Sequence, residues 1–427
     1  MNRIYYLFII FQIIYAESTT YEDEIRELIN NLNYLDAMSQ IESTIEKKPN
    51  SSQIYALASE VSLKLDRLED SNKFMKLAIE NDPENDTFRS EWEKIEQLNL
   101  SLKSAKKTFD SGYVDESINE YIELISNYPN QGIIHYTLGL IYKSIDDYNL
   151  AINQYKLAVK SNPFEEKYKK AILVISQTMA KEGDTEYRRR EYQSAINYYK
   201  QAIEYSPTYS VALFKLARTY YKAGDLVNAS IYLDKNIQID YNQEQSHKML
   251  GDIARKNGNL EKAIDSYNNA VNINNNYSKA YYSLGSTLIK KGDNESARLA
   301  LNTATKLDST YSKAFGALGL VEQNLENYES AILNYKKAVI IDPKGYDFYY
   351  RLASVLNITN DYEEAKISAK ESINIKRNYA PAFYELGVAE KALGNKVAAI
   401  SAFEKAQKDK NWRKLATFEI DLLNKGL

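Results

Sequence analysis

Apolar side chains recur every three or four residues along most of the chain, in blocks of about a dozen residues that short polar turns separate. Residues 278–307 contain two such blocks, with apolar positions at Tyr281, Leu284, Leu288, Leu301, Ala304 and Leu307. This spacing predicts two amphipathic α-helices joined by a tight turn. With 7 prolines and 15 glycines in 427 residues, the composition also favours helices over turn-rich β folds.

The predicted helix pair recurs with a period of 34 residues. An alanine marks the same place in consecutive repeats, at Ala195, Ala229, Ala263, Ala297, Ala331, Ala365 and Ala399. Twelve residues before each alanine stands another small residue, such as Gly251 or Gly285. With gaps, the frame extends toward the N-terminus and defines eleven repeats, which begin at residues 18, 52, 98, 132, 176, 210, 244, 278, 312, 346 and 380. The small residues predict that the two helices of each repeat approach closely.

The turn inside each repeat has a signature of its own. Glycine opens it at Gly224, Gly258, Gly292 and Gly394, as a left-handed helix C-cap requires. In the last six repeats Asp or Asn follows, at Asp225, Asn259, Asp293, Asn327, Asp361 and Asn395. A short polar side chain at this place is expected to cap the second helix by accepting a hydrogen bond from its free N–H groups.

These residues resemble the tetratricopeptide repeat family. The repeat that begins at residue 132 follows the family pattern at Leu138, Gly139, Tyr142, Tyr148, Ala151, Tyr155, Ala158 and Pro163. The resemblance covers residues 18–413 and implies an all-α, right-handed superhelical solenoid of antiparallel helix pairs, with a concave side that binds protein or peptide partners. A pentatricopeptide assignment, which would imply RNA, fits less well because the period is 34 and the chain is acidic.

The 34-residue frame slips twice, at residues 86–97 and 166–175. Neither insert is rich in Gly, Ser or Pro, and an apolar stripe of helical spacing continues through each. Because three helical turns need about 11 residues, each insert is expected to lengthen the first helix of its repeat; a disordered linker is the alternative. The predicted organisation is a signal peptide over 1–16, repeats 1–2 over 17–85, repeats 3–4 over 86–165, repeats 5–11 over 166–413 and a capping helix over 414–427.

The capping helix is predicted from apolar residues that continue at helical spacing after the last repeat, at Trp412, Leu415, Phe418 and Leu422. A terminal helix of this kind covers the apolar face that the last pair of a solenoid leaves bare. Only about 14 residues follow the repeats, so we expect no separate catalytic domain.

The composition restricts the chemistry that the chain can perform. It contains no cysteine and two histidines, His135 and His247, which excludes thiol catalysis, disulfides and a histidine-rich metal cluster. A formal net charge of −4 disfavours a general nucleic-acid binder. We therefore expect a non-catalytic interaction scaffold without a cofactor; an accessory or regulatory subunit of an envelope assembly or of a glycan-handling enzyme complex is the alternative.

The first residues differ from all that follow. Arg3 precedes an almost wholly apolar run, Ile4–Tyr15, which is short for a membrane span but suits the core of a signal peptide. Cleavage after Ala16 would leave no stable membrane span. We expect an exported protein, periplasmic or extracellular, with an uncleaved N-terminal anchor as the alternative.

The resemblance also implies which side chains line the concave surface, namely those on the outward side of the first helices. In repeats 6–9 the selected residues are Phe214, Lys215, Arg218, Tyr221, Lys248, Arg255, Lys279, Tyr282, Lys290 and Lys313. Repeats 6–8 carry eight basic residues and one acidic residue, Asp252, on this side. We expect an electropositive, tyrosine-flanked groove for an acidic or C-terminal peptide segment; a solvated helix face of chance composition is the alternative.

Some members of the family hold the terminal carboxylate of a partner in a clamp of Lys, Asn and Arg side chains. Here Asp252, Ser283 and Ala317 occupy three of the places that the clamp needs. The resemblance therefore does not extend to that clamp.

Overall fold

The computed structural model describes residues 21–425, and all regular secondary structure in this range is α-helical. The predicted signal peptide, residues 1–16, lies outside the described residues. The helices are α1 (21–30), α2 (Tyr34–Lys47), α3 (Ser52–Lys64), α4 (Leu68–Asn81), α5 (Asp86–Asp110), α6 (Val114–Asn127), α7 (Gly132–Ser144), α8 (Tyr148–Ser161), α9 (Glu166–Arg189), α10 (Tyr192–Tyr205), α11 (Ser210–Ala223), α12 (Leu226–Ile239), α13 (Glu244–Lys256), α14 (Leu260–Ile273), α15 (Ser278–Lys291), α16 (Asn294–Leu307), α17 (Ser312–Asn324), α18 (Tyr328–Ile341), α19 (Tyr346–Ile358), α20 (Tyr362–Ile375), α21 (Ala380–Ala392), α22 (Lys396–Ala406) and α23 (Arg413–Asn424).

Odd-numbered helices up to α21 are the first helices of the predicted repeats, and even-numbered helices are the second. Consecutive helices pack in pairs, which confirms the all-α, tetratricopeptide-like solenoid. The chain forms two compact units, unit 1 (Met1–Ala212) and unit 2 (Leu213–Leu427).

The two helices of a repeat touch where a large side chain covers a glycine. A Cβ atom on Gly251 would lie 2.6 Å from the ring of Tyr267, and one on Gly285 would lie 2.6 Å from Leu301. The same arrangement recurs between Gly139 and Tyr155, Gly183 and Tyr199, Gly319 and Tyr335, and Gly387 and Phe403. The predicted close approach is therefore confirmed, and its reason is that the ring and the glycine occupy one volume.

Every repeat opens its internal turn with a residue in the left-handed conformation. These residues are Leu32, Asp66, Gly112, Asp146, Arg190, Gly224, Gly258, Gly292, Glu326, Asn360 and Gly394, and they account for all positive φ angles in the described part of the chain. After Gly292, at φ 91°, the chain closes the helix with bonds from Gly292 N to Ile289 O and from Asp293 N to Leu288 O. The glycine prediction is confirmed, and the non-glycine residues adopt the same conformation at a cost.

The predicted caps form in only part of the chain. Asp225, Asn259 and Asp293 each accept a hydrogen bond from the N–H three residues later, at 3.0, 3.0 and 3.1 Å. The prediction is wrong for Asn327, Asp361 and Asn395, which cap nothing. The amides of Asn327 and Asn395 donate instead to the Glu322 and Glu390 carboxylates, at 2.9 and 2.7 Å. These bonds use the NH2 group of each amide and hold it toward the glutamate, while its oxygen caps no helix N–H group; nothing in the structure explains Asp361.

Both inserts lie inside continuous helices. Helix α5 has 25 residues and α9 has 24, whereas the other first helices from α3 onward have 13 or 14. On α5 the insert buries Ile95, and the stripe continues to Leu98 and Ala105. The extra residues lengthen each helix by roughly 15–18 Å at 1.5 Å per residue.

Helix α23 and the residue before it cover the end of the last repeat with only part of the predicted face: the ring of Trp412 lies 5.0 Å from that of Tyr384 on α21. Ala416 and Leu423 are buried against Phe403 and Ala406 of α22. Leu415 and Phe418, two of the residues that predicted this cap, are 51% and 60% exposed. The spacing located the helix correctly, whereas its rotation depends on the shape of the surface it covers.

Unit 1 contains a contact between repeats that are not neighbours. Asp66, in the turn between α3 and α4, accepts hydrogen bonds from the Ile133 backbone N–H at 3.1 Å and from the Tyr168 hydroxyl at 2.9 Å. Nearby, the rings of Tyr34 and Phe164 meet edge to face, with centroids 6.4 Å apart. Repeats 1 and 2 therefore contact the junction of repeats 4 and 5, although contacts in a simple solenoid join adjacent repeats only.

None of the helices within residues 21–425 combines the length and the apolar character that crossing a membrane requires.

Candidate binding surface

The predicted groove residues all lie on first helices of unit 2, and the side chain of each is partly or fully exposed. Helix α11 carries Phe214, Lys215, Arg218 and Tyr221; α13 carries Lys248 and Arg255; α15 carries Lys279, Tyr282 and Lys290; α17 carries Lys313. We call this set the first-helix face. The exposure of the first-helix face is compatible with a binding role, but an ion pair within the face lowers its positive charge.

Asp252 is the centre of a hydrogen-bond network on this face. Lys248 donates to one of its carboxylate oxygens at 2.6 Å, and the Tyr267 hydroxyl donates to the other at 2.8 Å. The side chains of Lys248 and Asp252 are only 24% and 15% exposed, so the pair is largely shielded from solvent. Lys248 and Asp252 therefore cancel each other's charge, and Lys248 adds little to a positive potential.

The remaining basic residues of the face differ in how far they are engaged. Lys279, Lys290 and Lys313 are exposed, and no carboxylate among residues 21–425 forms an ion pair with them or with Arg255. Lys215 and Arg218 do have interaction partners. The available positive charge thus lies on Arg255, Lys279, Lys290 and Lys313, over repeats 7–9.

Tyrosines surround this charge, and several of them stand outside the first helices. Tyr277 precedes α15 and Tyr311 precedes α17; the rings of Tyr282 and Tyr311 lie 4.9 Å apart. Burial and the nearby charges of Glu244 and Asp252 raise the pKa of Tyr277, while burial followed by Tyr282 and Asp308 raises the pKa of Tyr311 to about 12. Both hydroxyls stay protonated at neutral pH and can donate hydrogen bonds to a ligand.

Tyr221 connects the α11 and α13 parts of the face. The Lys256 ammonium lies 5.6 Å from the centre of the Tyr221 ring, in cation–π contact. Burial, followed by the charge of Asp252, raises the pKa of Tyr221, and the positive charge of Arg255 opposes that shift. The tyrosine ring is thus held between neighbouring repeats beside cations.

The network around Asp252 recurs elsewhere in the chain and fails where the acid is missing. In repeat 5, Tyr199 donates to Asp184 at 2.7 Å, and both residues occupy the places of Tyr267 and Asp252. In repeat 4 the acid is replaced by Leu140, and the hydroxyl of Tyr155 is buried without a hydrogen-bond partner. The bond therefore depends on an acidic residue fifteen places before the tyrosine rather than on the fold alone.

Comparison with known proteins agrees with this architecture. The family described as TPR repeat matches residues 251–292, and the family described as tetratricopeptide repeat matches residues 134–165, 187–253, 278–311, 312–344 and 346–379. Together these matches cover more than half of the chain. The chain belongs to the tetratricopeptide repeat family.

Two curated tetratricopeptide repeat proteins are similar in sequence over part of the chain. Tetratricopeptide repeat protein 21A of Mus musculus is 26% identical over 142 residues, which are 31% of this chain and 11% of that protein. A TPR repeat-containing protein of Methanocaldococcus jannaschii is 31% identical over 133 residues, which are 29% of this chain and 23% of that protein. The match thus spans less than a quarter of the length of either relative.

Among solved structures, the C-terminal part of a TPR repeat-containing protein from Cytophaga hutchinsonii is similar to this chain. It is 18% identical, covers 56% of this chain and 98% of its own, and has a TM-score of 0.46. Tetratricopeptide repeats serve generally as non-catalytic scaffolds that bind protein or peptide partners.

Both histidines have structural roles in these repeats. His135 is buried with Nδ1 2.8 Å from the side-chain oxygen of Gln154, and His247 is buried with Nε2 3.0 Å from the backbone oxygen of Tyr241. Within residues 21–425, no group of His, Asp and Glu is arranged to hold a metal ion.

A second aromatic cluster, in repeats 10 and 11, was missed by the sequence analysis. The ammonium of Lys376 lies 4.3 Å from the ring centre of Tyr346 and 4.7 Å from that of Tyr379, and Tyr350 meets Tyr379 at 5.6 Å. Tyr350 stands at the same place in its repeat as Tyr282. Extending the family mapping beyond repeat 9 would have found Tyr350, whereas Tyr379, like Tyr277 and Tyr311, precedes a first helix and lies outside that mapping.

Proposed function

We propose that this protein is a non-catalytic scaffold that holds a partner protein through an extended, acidic segment bound along the first-helix face of repeats 7–9. The observation that carries this proposal is the combination of Arg255, Lys279 and Lys313 with half-exposed tyrosines on one face. The cations favour carboxylates in the ligand, and the neutral tyrosine hydroxyls can donate to carboxylates or to peptide carbonyls.

The hydrogen bonds among Lys248, Asp252 and Tyr267 determine which residues of the face are available to a ligand. Because the ammonium of Lys248 offsets the charge of Asp252, and Tyr267 donates to its other oxygen, Asp252 does not repel an acidic ligand strongly. For the same reason a Lys248→Glu variant would disturb the Asp252 network as well as the ligand. Arg255 and Lys279 are the better positions at which to test recognition.

We also propose that the scaffold acts outside the cytoplasm, in the periplasm or the extracellular space. Support comes from the apolar N-terminal run Ile4–Tyr15 behind Arg3, which has the form of a signal-peptide core. N-terminal sequencing of the protein recovered from cell fractions tests this location. A start at residue 17 in the exported fraction supports it, and an intact N-terminus in the cytoplasmic fraction rejects it.

Selection from a random peptide display library tests the binding proposal. We expect the selected peptides to be rich in Asp and Glu and their affinity to fall as salt rises, because screening weakens exposed charge pairs. The double variant Arg255→Glu with Lys279→Glu is expected to lose most of this binding.

A charge-matched control is available on the second helices of the same unit. Lys235 and Lys262 are exposed on α12 and α14, and the double variant Lys235→Glu with Lys262→Glu changes the net charge equally. Equal binding by both double variants, or selected peptides without acidic enrichment, would reject the proposed face.

A further inference from the structure

The second helices of repeats 8–10 carry an exposed row of aliphatic side chains. Leu299 on α16, Leu333 on α18 and Ile367 on α20 occupy the same place in successive repeats and are 68%, 55% and 60% exposed. We call these three residues the aliphatic row. Ile340, at 76% exposure, enlarges the apolar surface toward the C-terminal end of α18.

Neither the fold nor the helix requires an aliphatic residue at this place. The equivalent residues in unit 1 are all polar: Ser39, Lys73, Asn119, Asn153 and Asn197. In the rest of unit 2 the place is taken by Ile231, Asp265 and Ser401. The same repeat therefore tolerates polar residues here, and exposed aliphatic residues at one place of three consecutive repeats point to an interaction surface.

Charged residues flank the aliphatic row with opposite signs on its two sides. One turn toward the N-terminus of each helix stands an exposed acid: Glu295, Glu329 and Glu363. Toward the C-terminus each helix carries an exposed base: Lys306, Lys337 and Lys370. Glu295 is paired with Arg298 at 2.7 Å and Lys370 lies 3.9 Å from Glu390, so the flanking charge rests mainly on Glu329 and Lys337. Glu371 lowers the charge of the basic edge. This order also suits the helix dipole, so the charges have a local cause, whereas the exposed aliphatic residues do not.

We propose that the aliphatic row binds a second copy of this chain in a two-fold symmetric dimer. A two-fold axis along the row places Leu333 against Leu333 of the partner subunit and reverses the direction of the facing helices. The acidic edge of each chain then faces the basic edge of the other, so that Glu329 faces Lys337 of the partner subunit. The surface is thus complementary to itself, which an isologous contact requires.

The small apolar area sets the expected strength of the dimer. Three aliphatic side chains and one additional isoleucine correspond to a weak interface, with a dissociation constant on the order of micromolar.

Sedimentation equilibrium of the whole chain at roughly 5–200 µM, a range that brackets such a constant, tests the proposal. We expect a reversible monomer–dimer equilibrium in the unaltered protein. The triple variant Leu299→Asp, Leu333→Asp, Ile367→Asp is expected to stay monomeric. Its matched control, Asn119→Asp, Asn153→Asp, Asn197→Asp, adds the same charge at the equivalent places of unit 1 and is expected to dimerise normally. Circular dichroism verifies that both variants remain helical.

Charge reversal tests the two-fold arrangement itself. Glu329→Lys and Lys337→Glu are each expected to weaken the dimer about tenfold, because each variant creates like-charge contacts with its own copy. Mixing the two variants is expected to restore association, since both edges then pair opposite charges. An unaltered protein that stays monomeric, a triple variant that still dimerises or a mixture that fails to associate would each overturn the proposal.

Discussion

The Tyr267 hydroxyl, on the second helix of repeat 7, donates a 2.8 Å hydrogen bond to Asp252 on the first helix of the same repeat. The tyrosine ring covers Gly251 on its way to this carboxylate. Tyr267 thus packs its ring in the core of the repeat and places its hydroxyl at the first-helix face. The same side chain serves the core of the repeat and the organisation of its surface.

Removal of this hydroxyl is expected to destabilise repeat 7. Tyr267→Phe deletes one bond to a charged acceptor, and we expect a loss of about 1.5 kcal/mol. Tyr155→Phe is the matched control: its hydroxyl is buried without a hydrogen-bond partner, so its removal is expected to be neutral or stabilising. Hydrogen exchange of α13–α14 and of α7–α8 measures the two effects locally. Equal losses in both variants would contradict the role given to Asp252.

The left-handed turns predict substitutions of opposite sign. Glu326 has φ 60° at the place where Gly292 has φ 91°, and a Cβ atom on Gly292 would meet nothing within 4 Å. Glu326→Gly is therefore expected to stabilise the protein by about 1 kcal/mol, and Gly292→Ala to destabilise it by a similar amount. Thermal unfolding of the two variants checks this. A stabilising Gly292→Ala would show that the turn is not strained by side chains.

The contact between Phe348 and Gly316 predicts that Gly316→Ala destabilises the protein when Phe348 is present and stabilises it when Phe348 is replaced by alanine. Its ring fills the space beside Gly316, where a Cβ atom would collide with it. Gly316→Ala is expected to cost about 2 kcal/mol through overpacking in the unaltered protein. In a Phe348→Ala background the same substitution is expected to stabilise by about 1 kcal/mol, because only the higher helix propensity of alanine remains.

Alanine is a suitable replacement for Phe348, because it occupies that place in several other repeats, at Ala212, Ala280, Ala314 and Ala382. Urea unfolding of the four proteins provides the cycle. If Gly316→Ala is equally damaging with and without Phe348, the ring is not the cause.

Asp66 predicts a pH dependence of unit 1. Burial raises the pKa of its carboxyl group, and the bonds from Ile133 and Tyr168, a bond with Asn162 and the charge of Lys167 only partly offset this. A raised pKa means that the folded state binds the proton more tightly than the unfolded state. The contribution of the protonated Asp66 carboxyl to the free energy of unfolding is therefore fully present below about pH 3.8, the ordinary pKa of the group. It is lost as the pH rises through the pKa of Asp66 in the folded state.

Asp66→Asn removes this titration. From pH 4 to pH 7.5, the unaltered protein is expected to lose more stability than the variant. The other buried acid, Glu385, also has a raised pKa, but it is present in both proteins and its effect therefore cancels in the difference. Thermal unfolding of both proteins at the two pH values provides the difference. A constant difference would show that Asp66 has the same pKa in the folded and unfolded chain.

The sequence was a reliable guide wherever the cause is local. The period of 34 located the helix pairs, and the small residue twelve places before each repeated alanine, such as Gly251, located the points where the helices touch. The family mapping placed Arg255 and Lys279 on exposed first helices. It could not show that Lys248 is paired with Asp252, because the rotamers that decide this depend on Tyr267 arriving from another helix.

By itself, the sequence determined the helices, their pairing and the position of each turn, because these follow from hydrophobic spacing and backbone preferences over a few residues. Only the tertiary structure decided which polar groups meet. Asn327 and Asn395 donate to neighbouring glutamates instead of capping, and Asp66 reaches Tyr168 over 102 residues. Such choices depend on the distances between side chains of different helices, which a repeating pattern in one dimension does not contain.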